Sequence, residues 1–259
     1  MIDIGANLAH DTFDSDREQV LERAAEQGVM QMIVTGSTLE SCQKGLQLAG
    51  KHPGILFTTA GVHPHHADEI TSSTLTSILD LADQPHVRAI GESGLDFFRD
   101  FSPRPVQEKV FVQHIEMASS LAMPLFLHER DAYRRFSDIL KAHRTDLTQV
   151  VVHCFTGDRT ALFSYLDLDC HIGITGWICD ERRGTHLIPL VPNIPADRLM
   201  IETDAPYLLP RNLESKPKNR RNEPCYLPFV CRAVAAATNR SKEEVARQTS
   251  DTARDFFGL

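Results

Sequence analysis

Short, almost wholly apolar runs alternate along this chain with longer segments whose apolar positions recur at helical spacing. The runs Ile2–Leu8, Met30–Thr35, Leu56–Val62, Arg88–Glu92, Leu125–His128, Val150–His153, Cys170–Thr175 and Leu199–Asp204 predict eight strands. Between them, Asp16–Gln27, Leu39–Lys51, Ser73–Ala82, Pro105–Leu121, Ala132–His143, Thr160–Leu166 and Arg183–Val191 predict helices. Leu227–Ala237 and Lys242–Phe257 add two more at the end. Many of the strand runs are apolar throughout instead of alternating, the pattern of parallel strands covered on both faces. Eight such strands interleaved with helices point to an α/β fold, a (β/α)8 (TIM) barrel forming one domain over residues 1–259. An open doubly wound sheet ordinarily carries a glycine-rich phosphate loop after its first strand. Here the first run passes into GANLAHD, with neither GxGxxG nor GxxxxGK.

A barrel aims the residues at the C-terminal ends of its strands into one mouth. Glu92 ends the fourth run, His128 the fifth and His153 the sixth. Three neighbouring strands then present two imidazoles and a carboxylate to one small volume. That mixed set suits Zn, Mn or Mg and leaves positions open for water or substrate. A lone histidine after a strand is more often a hydrogen-bonded structural residue; the joint placement at three consecutive strand ends is what favours a metal. Asp204, in ETDAPY, follows the eighth run, which neighbours the first in a closed barrel. A carboxylate there serves as a ligand, as acceptor of a proton from water acidified by the cation, or simply as a cap on the next loop. Glu202 shares its side of a regular strand and reads either as a partner of a ligand histidine or as a structural carboxylate. His63, in GVHPHH, is placed to donate to a phosphate or to bind a second cation. His65 and His66 read as phosphate contacts or as solvated loop residues, His66 more clearly the latter. Arg130 either reaches a substrate phosphate or pairs with Asp131 or Glu129.

Composition narrows the substrate. The formal charge of 27 − 35 = −8 means that the surface as a whole does not attract polyanions. The basic residues are localised instead. Arg182 and Arg183 follow the seventh run, and Arg211, Lys216, Lys218, Arg220 and Arg221 lie in the proline-rich stretch Pro206–Pro228 after the eighth. Both loops open on the face of the candidate metal, which favours a phosphate-rich substrate over ordinary solvated charge. Trp177 and Phe97–Phe98 are candidate base-stacking groups, with core packing as the alternative. No RNP, helix-turn-helix or zinc-finger pattern occurs, so sequence-specific recognition is not expected. Six scattered cysteines without a CxxC pair read as buried free thiols in a reducing cytosol. MIDIGANLAHD has no basic leader region and no apolar run reaches membrane-spanning length, so a cytoplasmic protein without membrane contact is expected.

The stretches TAGVHPH, AIGESGLDF, HERD, HCFTG, IGITGWICDERRG, IETDAPYLLPR and RRNEP together resemble the TatD family of metal-dependent deoxyribonucleases, over residues 1 to 228. The resemblance implies a barrel of the metal-dependent hydrolase type and a 3′–5′ exonuclease or DNase using a divalent cation. Mg²⁺ is the first expectation, with Mn²⁺ or Zn²⁺ as alternatives. It implies Glu92, His128 and His153 as metal ligands, Asp204 as ligand or base, and His63 as the histidine of GVHP. One departure stands out. Most members of the family begin with an Asp-x-His-x-His strand, whereas here Gly5 and Asn7 follow Asp3 at those positions, so a second cation site should be weak.

The combined expectation is a monomeric exonuclease on single-stranded DNA, with RNA as a second substrate, acting in DNA repair or turnover. Asp204 would accept the proton, while His63, His65, Arg130, Arg220 and Arg221 would hold phosphate oxygens. One alternative is a barrel hydrolase of a small amide, ester or lactone with no dependence on Lys218, Arg220 and Arg221. Another is a catalytically dead scaffold that binds nucleic acid or protein, motivated by the missing histidines.

Overall fold

Each of the eight apolar runs becomes a strand in the computed structural model, which describes residues 1–259. The strands are β1 Ile2–Ala6, β2 Gln31–Val34, β3 Leu56–Ala60, β4 Val87–Asp96, β5 Leu125–Arg130, β6 Val150–Val152, β7 His171–Ile174 and β8 Leu199–Ile201. They form one sheet in sequential order, every neighbouring pair parallel. The residues after β8 rejoin β1: Asp204 N donates to Gly5 O at 2.8 Å, and Asn7 N donates to Ala205 O at 2.7 Å. The sheet thereby curls into a (β/α)8 barrel, and the seam that closes it runs through the functional end of the strands.

Helices α1 Arg17–Glu26, α2 Leu39–Lys51, α3 Ser72–Ala82, α4 Arg104–Leu121, α5 Tyr133–His143 and α6 Arg159–Asp167 follow strands β1 to β6. Their starts obey local chemistry. Thr38 and Ser41 form a reciprocal capping box on α2, and Thr71 and Thr74 form one on α3. The helix expected over Arg183–Val191 does not form. That stretch holds only short 3₁₀ turns, at Thr185–Leu187 and from Val191, and no α-helix lies between β7 and β8. Pro189 removes an N–H and sets its ring against the carbonyl four residues earlier, and Pro192 and Pro195 repeat the obstruction. Two helices close the chain, α7 Leu227–Thr238 and α8 Lys242–Phe257.

The main core, fifty buried residues, lies between sheet and helices. A separate cluster fills the lower half of the barrel with Ile2, Ile4, Ile33, Phe57, Ala89, Phe126, Val151 and Met200, and α8 seals it from below with Phe256 and Phe257. Inside the barrel, apolar packing is thus confined to the N-terminal half of the strands, and their C-terminal ends turn polar groups inward.

Strand β4 is the exception in length. The expectation ended it at Glu92, but it continues to Asp96 as a ten-residue strand. Its glycines permit this: Gly91 and Gly94 have φ values of 135° and 139°, and a Cβ on either would run into a carbonyl oxygen of β5. Gly94→Ala should therefore destabilise the fold by on the order of 2 kcal/mol and lower Tm by roughly 5 °C. Gly50→Ala, on an exposed face of α2 with nothing within 4 Å of the new methyl, should leave Tm unchanged or raise it. Calorimetry of the two variants checks the contrast.

Candidate metal centre

Three imidazoles converge on one carboxylate oxygen at the barrel mouth. Oε1 of Glu92, on β4, lies 2.7 Å from His153 Nε2, 3.3 Å from His128 Nδ1 and 3.5 Å from His63 Nε2. Each ring is aimed by a second contact. His63 Nδ1 accepts the backbone N–H of His65 at 3.1 Å, which turns its other nitrogen toward Glu92. His128, on β5, reaches from Glu92 to Asp96, with Nε2 at 3.4 Å from Asp96 Oδ2. His153, just past β6, stacks on Phe126 at 4.4 Å, and its Nδ1 lies 3.2 Å from Glu202 Oε2. Glu202 is itself held by the Cys154 N–H at 2.5 Å. The Glu202 carboxylate occupies the space that a side chain on Gly5 or Gly173 would take.

Asp204 stands where β8 hands over to β1. Its φ of 55° turns the chain sharply out of the strand, in the left-handed region that aspartate tolerates better than most residues. Asn7 donates from Nδ2 to Asp204 Oδ1 at 3.0 Å. The Asn7 position at the end of β1 therefore supplies a hydrogen-bond donor to this carboxylate.

Buried charge sets the protonation states. Burial alone would raise Glu92, but His63, His153 and His128 outweigh it and hold the carboxylate well below its usual range. Burial disfavours charge on His128, yet the nearby carboxylates of Asp96 and Glu92 prevail and push it up to about 9. His153 is likewise raised, against its burial, by Glu202 and Glu92. His63 goes the other way: burial and the neighbouring imidazoles lower it despite Glu92. Burial lifts Asp204 to about 7, with His153 opposing and Glu92 and Glu202 adding to the rise.

The site fits a divalent cation. His63, Glu92 and His128 each offer one ligand atom within 4.8 Å of the others. Nε2 of His128 is buried without a hydrogen-bond partner, and a buried donor or acceptor left in that state calls for one. Two imidazoles and a carboxylate form the donor set of catalytic divalent sites. His153 approaches the same Glu92 oxygen, and Glu202 behind it is the kind of partner that orients a ligand histidine.

Other expected residues are dispersed. His65 is engaged by Asp96 at 2.7 Å and packs on Phe101, while exposed His66 pairs with Glu69. Arg130 donates to Thr156 Oγ1 at 3.3 Å and lies over the rings of Phe98 and Trp177. Arg220 is exposed and forms no ion pair, as do Lys216 and Lys218 beside it. Arg221, expected to meet phosphate, is instead committed to the fold: it pairs with Asp16 at 2.6 Å and Glu223 at 2.8 Å and covers the Phe13 ring. Asp96 was not foreseen. Buried, and accepting the N–H groups of Phe98 and Arg99, it braces both His65 and His128. Strand alternation from Glu92 would have placed it on the same side. The cysteines are all free, and only Cys154 is less than fully buried.

An eight-stranded parallel barrel with a histidine–carboxylate cluster at the C-terminal ends of its strands defines a metal-dependent barrel hydrolase. The chain belongs to the family described as TatD related DNase, whose sequence profile matches residues 2–258. It is 49% identical over 259 residues to the 3'-5' ssDNA/RNA exonuclease TatD of Rahnella sp. (strain Y9602), covering 100% of this chain and 98% of that one. It is also 49% identical, over 100% of both chains, to the protein of the same name from Erwinia amylovora. Among solved structures, the TatD family hydrolase of Entamoeba histolytica superimposes with a TM-score of 0.89 at 26% identity, over 99% of this chain and 97% of that one. The TatD homolog YJJV of Escherichia coli k12 shares the fold, with a TM-score of 0.90 at 24% identity over 100% and 98% of the two chains. The chain is a hydrolytic nuclease that uses a divalent cation and acts on nucleic acid, and none of its helices is long and apolar enough to cross a membrane.

The protonation pattern makes cation binding pH-dependent. Without metal, His128 carries a proton up to about pH 9, above its ordinary 6.5. Its contribution to stability is complete below pH 6.5 and is lost as the pH climbs to 9. A cation must displace that proton, so apparent Mg²⁺ or Mn²⁺ affinity should rise between pH 6.5 and 9, by up to about tenfold per unit. Titration calorimetry in buffers of different ionisation enthalpy should show proton release in this window, and affinity that is flat or falling there contradicts the assignment.

Proposed function

We propose that the chain is a 3′–5′ exonuclease that hydrolyses phosphodiester bonds of single-stranded DNA and RNA, with Mg²⁺ as its working cation. The observation that carries the reading is the convergence of His63, His128 and His153 on one oxygen of Glu92, beside a carboxyl at Asp204 whose protonation changes near neutral pH. The names of the full-length relatives support the polarity and the substrate class. A bound divalent cation supplies Lewis acidity toward a phosphate oxygen and toward water.

The protein's own groups do the rest. Glu92, His63 and His128 would hold the cation, and His153, kept in place by Glu202 and close to the same Glu92 oxygen, would add a further donor. Asp204, lifted to about 7 by burial and neighbouring carboxylates, accepts the proton of the attacking water, since a base works best when its pKa lies near the working pH. The Asn7 amide keeps that carboxylate facing the site. Arg130 and His65 contact the scissile phosphate, and Arg220 meets the strand beyond it. The unpaired cations Lys216, Lys218 and Arg220 favour a polyanion over a small amide or ester, because solvated charge on an acidic protein adds nothing to the binding of a neutral substrate. The whole chain acts as one catalytic domain, a cytoplasmic monomer engaged in DNA repair or turnover.

His128→Ala should abolish release of nucleotide from a 3′-labelled single strand while the protein stays folded by circular dichroism. Asp204→Asn should lower kcat by roughly 10² to 10⁴, the range for a lost general base. With Mg²⁺, a 3′-labelled strand should give mononucleotide at once and a 5′-labelled strand a descending ladder. The reverse order would refute the polarity, and full activity of His128→Ala the site.

A further inference from the structure

One side of the mouth carries a row of alternating rings and guanidinium groups outside the cation cluster. Arg130 lies 5.0 Å from the centre of the Phe98 ring and 5.1 Å from that of Trp177, and Arg183 covers Trp177 at 4.4 Å. Each separation is within the range of a cation–π contact. The row begins beside the cluster, since Arg130 is two residues beyond His128 on β5, and ends in solvent, since the Arg183 side chain is 58% exposed. Phe98, at 56% exposure, is too open for a core residue. Trp177 is half-buried, and its indole N–H is enclosed without a hydrogen-bond partner. A cleft of about 240 Å³ adjoins the outer end, lined by Trp177, Arg182, Arg183 and Arg211. Its charge is only partly neutralised: Asp180 is shared among all three arginines, Glu181 pairs with Arg211, and Asp131 stands 3.9 Å from Arg130.

We propose that Phe98, Arg130, Trp177 and Arg183 form the subsite for the nucleotide on the continuing side of the scissile phosphate, and that Arg182 and Arg211 receive the next phosphate outward. The inference rests on the nuclease reading above and assigns the direction in which the strand leaves the site. Guanidinium and aromatic planes accept any base by stacking, which matches a site with no sequence-reading motif. The strand then runs over the positive loops and away from the closed cluster, and only its terminal nucleotide remains at the reacting end.

The test compares Trp177→Ala and Arg183→Ala with the unaltered chain on two substrates, a long single-stranded homopolymer and a nitrophenyl phosphodiester of one nucleoside. The expected result is a KM for the long strand raised by about tenfold, the effect of one lost stacking contact, with a several-fold smaller loss on the small diester. Binding of the labelled strand in chelator, followed by fluorescence anisotropy, should show a salt slope smaller by about 0.7 for Arg183→Ala, one single-strand phosphate contact. Trp177→Phe should restore most of the KM. Equal losses on both substrates, an unchanged KM for the long strand, or an unchanged salt slope would overturn this subsite and leave the proposed function standing. An unaltered chain that cleaves neither substrate would overturn the proposed function and the subsite together.

Discussion

The buried charge on Glu92 is the constraint from which the rest of the functional end follows. A carboxylate taken out of water is costly unless opposite charge and hydrogen bonds surround it. Here the compensation comes from three imidazoles delivered by three different strand ends, so β3, β4, β5 and β6 must meet in one register. That demand accounts for the glycines. Gly91 and Gly94 let β4 pass close against the carbonyls of β5, and Gly5 and Gly173 clear the volume that Glu202 fills behind His153. Small residues at these places are as much a part of the site as its ligands. They also explain why the apolar filling stops at Phe126, whose ring serves as the floor under His153.

Much of this was legible in the sequence, for physical reasons. Parallel strands buried on both faces leave continuous apolar runs, and all eight runs became strands. Polar residues that interrupt the end of such a run have few roles other than facing the mouth, which is why Glu92, His128 and His153 could be brought together before any coordinates. What stayed hidden depended on side-chain partners. Arg221 sits in the same basic loop as Arg220; the difference is that Asp16, distant in sequence, and Glu223, two residues on, close around Arg221 and leave Arg220 free. Asp96 was hidden because the apolar run seems to end at Glu92, while two glycines carry the strand on. The helix expected before β8 failed because helical spacing of apolar residues outweighed Pro189 in the reading, whereas in the chain the missing N–H prevails.

The charge distribution resolves an apparent conflict between an acidic protein and a polyanionic substrate. A net −8 would repel nucleic acid if it were spread evenly. The acidic residues of the site are instead turned inward onto imidazoles, and many of the arginines around the mouth are paired with single carboxylates that leave edges and faces free. Lys216, Lys218 and Arg220 remain without partners on the loop after β8. Exposed cations on the loops at the C-terminal ends of the strands thus stand on the same side of the barrel as the reacting end.

The two carboxyls after β8 show how one strand end serves two roles. Glu202 is sunk against His153 and accepts the Cys154 N–H, and it holds the imidazole ring in place. Asp204, two residues on, has turned out of the strand through a left-handed residue, and Asn7 is the only side chain that donates to it. Buried, and facing two other carboxylates, it holds its proton to about pH 7. A histidine at position 7 could carry positive charge beside Asp204 and would lower that value. Asparagine cannot, because its amide donates a hydrogen bond without ever bearing a proton's charge. With Asn7 beside it, the Asp204 carboxyl changes protonation near neutral pH, the property that the general base proposed above requires.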